Sequence, residues 1–363
     1  MYAVNILNQY PPPSAVYRYS YDILTSVKGS KLYTFLYGSS QNDLPNFSKG
    51  IYIQGKFKNP KVLNKFFPNF SHQSFIKKFS HEKNIPTIYH YASPMIPIKL
   101  PDFCKVVTFH DPPSTILNSD LFSHDLSSGI FIDILRKKFQ SNYFKQFKNY
   151  TNVITDSNFV RSISIEDGYT DNSKVIYPCI SPSFKLLPEK DLLKQKLGLP
   201  LDKTCVLSVS TLLRRKNLSA VKKTMELLGE NFKLVRVGPP ISGSSLSFEK
   251  IDNDTLNMVY NACDVMLFPS LYEGFGYPLV EALATGLPVV ASDIEIFRET
   301  SGGNAAILSD PNDPFSLAAG VKAAVESSDD LIKKGLKRAK RFSYKRFSRE
   351  MNEYYSGVIS QIN

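Results

Sequence analysis

No uninterrupted apolar run in this chain approaches the roughly 18 residues that a membrane-spanning helix needs. The N-terminus, MYAVNILNQYPPP, has neither a basic n-region nor an apolar h-region, which argues against a cleaved secretory signal. Cysteine is scarce. Cys104, Cys179, Cys205 and Cys263 form no C-x-x-C pair, which speaks against a zinc ribbon or a redox motif and suits reduced thiols in a cytosolic protein. The five histidines make no H-E-x-x-H, and nothing at local spacing supports a metal site. There is no internal repeat and no low-complexity tract. Bulk disorder, collagen and a disulfide scaffold are excluded by an ordinary composition, 42% hydrophobic and 21% charged.

The chain has 363 residues. At about 150 residues per domain, that suggests two domains. The formal charge of +11 is uneven: residues 1–182 carry 20 basic and 12 acidic side chains, net +8, and the remainder is net +3. A basic half attracts polyanions such as nucleic acid, acidic lipid headgroups or phosphorylated substrates, and equally serves solubility alone.

Short apolar runs alternate with helical patterns. The strands expected in the first half are Ala3–Leu7, Leu32–Tyr37, Thr87–Tyr91, Lys105–Phe109, Asn152–Thr155 and Lys174–Tyr177. In the second half they are Cys205–Ser210, Phe232–Val237, Asp264–Phe268, Pro288–Ala291 and Ala305–Leu308. Helical patterns such as Leu218–Leu228, Thr255–Ala262 and Pro314–Glu326 lie between them. This alternation predicts parallel α/β sheets. A proline-rich break near Pro178–Gly198 reads as a linker and a short helix, so two doubly wound domains in tandem are expected. Ligands of such sheets bind at the carboxyl ends of strands, and with two domains the cleft between them is the default site. The basic segment from Asp329 to Ile362 reads as helical and could pack back across the boundary.

The most informative stretch is DVMLFPSLYEGFGYPLVEALATGLPVVASD, from Asp264 to Asp293. It reads as strand, glycine loop, helix, strand. Pro278 suits the first helical position and Gly286 the residue after the last turn. The amides of Gly274, Phe275 and Gly276 in the loop, and of Leu279 and Val280 in the first turn, are expected to be free and to form an anion site at the positive end of the helix. Glycine there permits close approach by a ligand. Glu273 and Glu281 flank this site. Two carboxylates do not help to bind phosphate, but they suit sugar hydroxyls. A phosphate between two polyol ends describes a nucleotide sugar.

Three further segments carry chemistry. SVSTLLRRKNL brings Arg215 and Lys216 to the carboxyl end of a strand, where Arg forks onto phosphate oxygens and Lys acts as a point charge. VVTFHDPP delivers His110 and Asp111 to another strand end. NQYPPPSAVYRYSY, from Asn8 to Tyr21, reads as a loop containing Arg18 and Tyr19. Asp252-Asn253-Asp254 is a D-x-D; before TLNMVYNAC it reads as a helix cap on Asn253 or Asp254, not as a metal motif.

The stretch from Glu273 to Glu281 resembles the E-x7-E signature of family 4 retaining glycosyltransferases of the GT-B fold. Glu273, Gly274, Phe275, Gly276, Pro278 and Glu281 stand where that pattern wants them, and Gly286, Pro288 and Asp293 fit the passage that follows. Arg215-Lys216-Asn217 is similar to the family's R-K-N segment, and His110-Asp111 to its H-D segment. Thr211 stands where some members carry a further arginine, and PPPSAVY replaces their glycine-rich turn. The resemblance spans most of residues 100–325.

It implies an α/β chain of two Rossmann-like doubly wound domains facing each other across a cleft. Residues 1–180 would bind the acceptor and 181–342 the nucleotide sugar, with a helix at about 343–363 packing back on the first. It implies a metal-independent retaining hexosyltransferase, with mannosyl transfer in glycan biosynthesis included. The donor would be a GDP- or UDP-sugar, a substrate and not a cofactor; no cofactor and no metal are expected. Glu281 would hold the ribose hydroxyls and Glu273 the transferred sugar. The loop amides would meet sugar hydroxyls, and the helix start, Lys216 and Arg215 the diphosphate. His110 would touch sugar and phosphate without acting as general base.

The acceptor is expected to be a saccharide or a lipid-linked saccharide, met by the basic first domain. Residues 56–79 are the better candidate for contact with an anionic membrane; 130–150 fit a helix packed on the first sheet. A cytoplasmic location, with peripheral attachment to the inner membrane face, follows. The rival readings are a nucleotide-sugar epimerase of the same fold and a non-catalytic basic polyanion-binding protein. No helix-turn-helix, RNP or KH pattern supports nucleic-acid binding.

Overall fold

The computed structural model describes residues 3–8, 14–27, 31–36, 87–93, 104–112, 114–115, 150–170, 173–241 and 246–361. They divide into two units. The first runs to Cys179 and takes back Tyr344–Asn363, and the second is built on Ile180–Ser343.

In the first unit, β1 (Ala3–Asn8), β2 (Lys31–Leu36), β3 (Thr87–Tyr91), β4 (Cys104–Phe109), β5 (Val153–Thr155) and β6 (Ser173–Val175) form one parallel sheet in the order β2-β1-β3-β4-β5-β6. In the second, β7 (Thr204–Val209), β8 (Phe232–Val237), β9 (Leu246–Phe248), β10 (Val265–Phe268), β11 (Val289–Ser292) and β12 (Ile307–Ser309) form another, ordered β12-β11-β10-β7-β8-β9 and parallel throughout. Parallel strands covered on both faces read as continuous apolar runs. VMLF of β10 and VVAS of β11 are buried at every residue for that reason. The order of the second sheet reverses between β7 and β10, and ligands of open α/β sheets bind at such a switch point.

Several sequence expectations need correcting. β9 is an additional strand: three partly exposed residues on the sheet edge give too short and too mixed a pattern to read. Arg18 and Tyr19 do not lie on a loop. They belong to α1 (Ala15–Ser26), whose first turn is capped by Ser14 accepting from the Tyr17 amide at 3.1 Å. Helix α2 (Asn158–Glu166) follows β5, and α3 (Lys190–Lys196) follows the proline-rich break. In the second unit α4 (Leu218–Leu228) follows β7, and α5 (Asn253–Ala262) is capped by Asp252, not by Asn253 or Asp254. The Asp252 carboxylate sits three residues ahead of the Thr255 amide, 2.7 Å away, which is the reach a capping oxygen requires. α6 (Tyr277–Ala284) begins at Tyr277, so Pro278 is its second residue and not its first.

α7 (Glu295–Ser301) and α8 (Pro314–Glu326) complete the alternation, and α9 (Ser328–Ala339) packs against α6. The last helix, α10 (Tyr344–Ser360), returns to the first unit. Phe347, Met351, Tyr355 and Val358 of α10 join Val4, Ile6, Ile88 and Val106 in one buried cluster, and the helix packs along α1. Residues 56–79 and nearly all of 130–150 lie outside the described residues.

Candidate functional site

The loops leaving β7 and β10 meet at the switch point of the second sheet. After β7 the chain makes one 3-10 turn, Arg214–Lys216, and Asn217 reverses it with φ 53°. The Asn217 side-chain amide anchors the reversal by donating to the Pro311 carbonyl at 2.8 Å. The Leu271 amide donates to the Arg215 carbonyl at 2.8 Å, which fastens the β10 loop to this turn.

Glu273 sits between the two cations of the turn. Arg215 donates from Nη1 to Glu273 Oε2 at 2.8 Å and to the Tyr272 carbonyl at 3.1 Å. Lys216 Nζ donates to Glu273 Oε1 and lies 5.5 Å from the centre of the Phe268 ring. All three charged side chains are largely covered. Burial pushes the Glu273 carboxyl upward, but Lys216 and Arg215, by charge and by hydrogen bond, pull it below its ordinary value. The group is therefore a carboxylate at neutral pH.

Glu281 is buried on α6, where its Oε2 accepts from the Tyr260 hydroxyl at 2.9 Å. Tyr260 belongs to α5; its helical spacing among apolar residues marks it as core and gives no sign of this bond.

The loop glycine and the helix start behave differently from expectation. Gly276 caps α6 with φ 85°. A Cβ there would meet Phe297 Cε1 at 2.8 Å, so the space it leaves is filled by the protein's own ring. The amides of Leu279 and Val280, expected to be free, both donate to the Gly276 carbonyl, at 3.0 and 3.4 Å. Pro278 has no amide proton. The first turn therefore offers an anion less than the sequence suggested, and the two cations carry more of that task. The side chain of Phe275 is core, packed edge-on to Tyr277 and Phe342 at 5.3 and 5.4 Å between ring centres.

The structure brings Arg215, Lys216, Glu273, Gly274, Phe275, Gly276, Leu279, Val280 and Glu281 together in the second unit. His110 belongs to the first. It follows β4 and is held from both ring nitrogens: Nδ1 lies 2.5 Å from Asp156 Oδ2 and Nε2 lies 2.5 Å from the Ala92 carbonyl. A carbonyl can only accept, so Nε2 carries a proton. Burial lowers the basicity of His110, but Asp156 and the Ala92 carbonyl outweigh it and hold the imidazole above its usual pKa. Asp156 is a partner that the sequence pattern does not reveal, because strand register supplies it. Phe109 of β4 pairs with Thr155 of β5, so the next residue of each strand leaves the sheet side by side.

Below this pair runs a buried polar chain. Tyr19 stacks edge-on to His110 at 4.8 Å and shares a hydrogen bond of 3.2 Å with Thr108. Thr108 meets His90 Nε2 at 2.7 Å, and His90 Nδ1 meets the Tyr355 hydroxyl at 2.6 Å. Burial and the nearby His110 lower the His90 pKa to about 3, so it is neutral. Among the described residues, no three His, Cys, Asp or Glu side chains are placed to hold a metal, and no helix is long and apolar enough to cross a membrane.

Residues 189–346 match the family Glycosyl transferases group 1. Among curated relatives, the chain is 33% identical over 97 residues to O-antigen chain mannosyltransferase B of Escherichia coli, 26% of this chain and 25% of that protein. The chain spans about a quarter to a half of the length of such relatives. Among solved structures, sucrose-phosphate synthase from Thermosynechococcus elongatus superposes with TM-score 0.77 at 17% identity, covering 99% of this chain and 100% of that one. Anabaena Alr3699/HepE, in complex with UDP and glucose, superposes with TM-score 0.72 at 16% identity, over 99% and 100%. These likenesses establish the fold, a GT-B architecture of two parallel-sheet α/β domains.

Proposed function

Because residues 189–346 are a glycosyl transferases group 1 domain, we propose that the chain is a retaining, family 4-type hexosyltransferase. It moves a hexose from a GDP- or UDP-sugar to a saccharide or lipid-linked saccharide, without a metal. A relative named as a mannosyltransferase makes mannose the first sugar to test. The observation that carries this reading is the Arg215–Glu273–Lys216 cluster at the strand-order switch, with Glu281 one helix turn beyond the loop.

As the glycosidic bond breaks, negative charge builds on the departing diphosphate. Arg215 and Lys216 are fixed before the reaction by Glu273 and by the Leu271 bond, so little reorganisation is needed when that charge appears. Glu273 acts as a positioning carboxylate for the sugar hydroxyls and not as a covalent nucleophile. Glu281, oriented by Tyr260, accepts from the ribose hydroxyls. His110, held through Nε2–H by the Ala92 carbonyl and through Nδ1 by Asp156, is the residue of the first unit assigned to the donor sugar and phosphate. The leaving phosphate takes the acceptor's proton. The basic first half supports contact with an anionic membrane surface, on the cytoplasmic side in this reading.

A thermal-shift and hydrolysis screen with UDP-, GDP- and ADP-sugars, with and without EDTA, tests this. A shift with one nucleotide, kept in EDTA and lost in Glu281→Ala, is expected. No shift with any of them ends the donor assignment.

A further inference from the structure

Arg236 is the fifth residue of β8, FKLVRV, and is fully buried. Its guanidinium reaches across to the carboxyl end of β7. Nη1 donates to the hydroxyls of Ser208 and Ser210 at 3.0 and 2.9 Å, and Nη2 to the carbonyls of Ser210 and Pro239 at 3.0 and 3.2 Å. Every one of these partners is neutral, and no carboxylate bonds to it among the described residues. Burial lowers its pKa to about 10, so it stays charged at neutral pH. Gly238 closes the pocket: a Cβ there would stand 2.1 Å from the Ser210 carbonyl oxygen.

A buried cation with no counter-charge costs stability, and a valine or leucine would fill this strand position more cheaply. The guanidinium grips the residue from which the segment 211–216 departs, the segment that ends in Arg215 and Lys216. Those two cations share the Glu273 carboxylate, and Arg236 adds a buried charge to the same strand end that no carboxylate bonds among the described residues. A ligand with two or more negative charges restores the balance.

We infer that Arg236 is a positioning residue for the donor's diphosphate, holding the β7 exit through Ser210 and supplying a buried charge that the bound diphosphate neutralises. This inference rests on the nucleotide-sugar reading above. The charge acts through the Ser210 segment and not by direct contact, since the side chain is covered.

The experiment is calorimetric binding of UDP, GDP and the matching nucleosides to the full chain as wild type, Arg236→Met, Arg236→Gln and Arg236→Lys. In Arg236→Met, nucleoside diphosphate affinity falls by about ten-fold or more, nucleoside affinity is unchanged and the melting temperature does not fall, because an apolar side chain of similar length removes an unbalanced charge. Arg236→Gln shows the same loss of diphosphate preference. Arg236→Lys, which keeps the charge, stays within about three-fold of wild type. Unchanged diphosphate affinity in Arg236→Met overturns the inference, as do parallel losses for diphosphate and nucleoside. Failure of both neutral variants to fold shows a purely structural arginine and also overturns it. If the wild type binds no nucleoside diphosphate, the donor reading fails and this inference with it; binding that the neutral variants keep sinks this inference alone.

Discussion

Glu273 faces two cations with one carboxylate, so its removal takes that carboxylate from two largely covered cations. Breaking a buried pair in this way costs about 3–5 kcal/mol. Glu273→Gln is therefore expected to lower the stability of the unligated chain by about 3 kcal/mol in chemical denaturation. It should also bind nucleoside diphosphate more tightly than the wild type while losing transfer, because the cations no longer have a competing anion. Weaker diphosphate binding in Glu273→Gln would place the two cations away from the phosphates. The pH dependence has a defined sign. A carboxyl held below its ordinary value in the folded state stabilises above its unfolded pKa of about 4.3 and loses that contribution as pH falls through the folded value. His110 runs the other way. Its pKa is raised, so its contribution is complete below about pH 6.5 and fades as pH rises through the folded value. Asp156→Asn should remove that alkaline fall from a series of melting temperatures between about pH 6 and 9, while an unchanged slope would show that the pair does not carry it.

At the scale of elements, the turn into α6 depends on Gly276. Alanine there must hold φ near 85° and push its Cβ into Phe297. The backbone part costs about 1–2 kcal/mol and the overlap about 1–3 kcal/mol. Gly276→Ala alone should therefore destabilise by about 2–5 kcal/mol. Adding Phe297→Leu should recover the steric part and leave the backbone part, which a double-mutant cycle measures directly. Strict additivity would show that the ring gives way without cost. The same region shows what can be read in a sequence. VMLF and VVAS are legible as buried strands because both of their faces are covered, and Glu273 and Glu281 because their spacing around a glycine loop is distinctive. The fate of the Leu279 and Val280 amides is not legible, since it turns on whether the helix starts at Tyr277 or at Pro278. Arg236 reads as an ordinary charge in a strand until the register of β7 and β8 places it opposite Ser208. Asp156 acquires its meaning only when β4 and β5 are paired. Contacts fixed by strand register need the whole sheet, and local pattern does not contain it.

For the whole molecule, the decisive contact is the return of α10 to the first unit, because it makes the fold of that unit depend on the end of the chain. Phe347, Met351, Tyr355 and Val358 are all buried there. At about 1.5–3 kcal/mol for each buried side chain, they contribute about 6–12 kcal/mol, as much as a typical domain's entire margin of about 5–15 kcal/mol. The Tyr355 hydroxyl also completes the buried chain that runs through His90 and Thr108 to Tyr19 beneath His110. A chain ending at Ser343 should therefore lose the first unit and retain the second, whose sheet and helices lie within Ile180–Ser343. Calorimetry should show one transition where the full chain has the content of two, and limited proteolysis should leave a fragment beginning near Ile180. Nucleoside diphosphate binding should survive in that truncated chain and sugar transfer should not, since Arg215, Lys216, Glu273 and Glu281 stay in place while His110 loses its framework. Retention of both transitions after the truncation would show that α10 covers the first unit without holding it together.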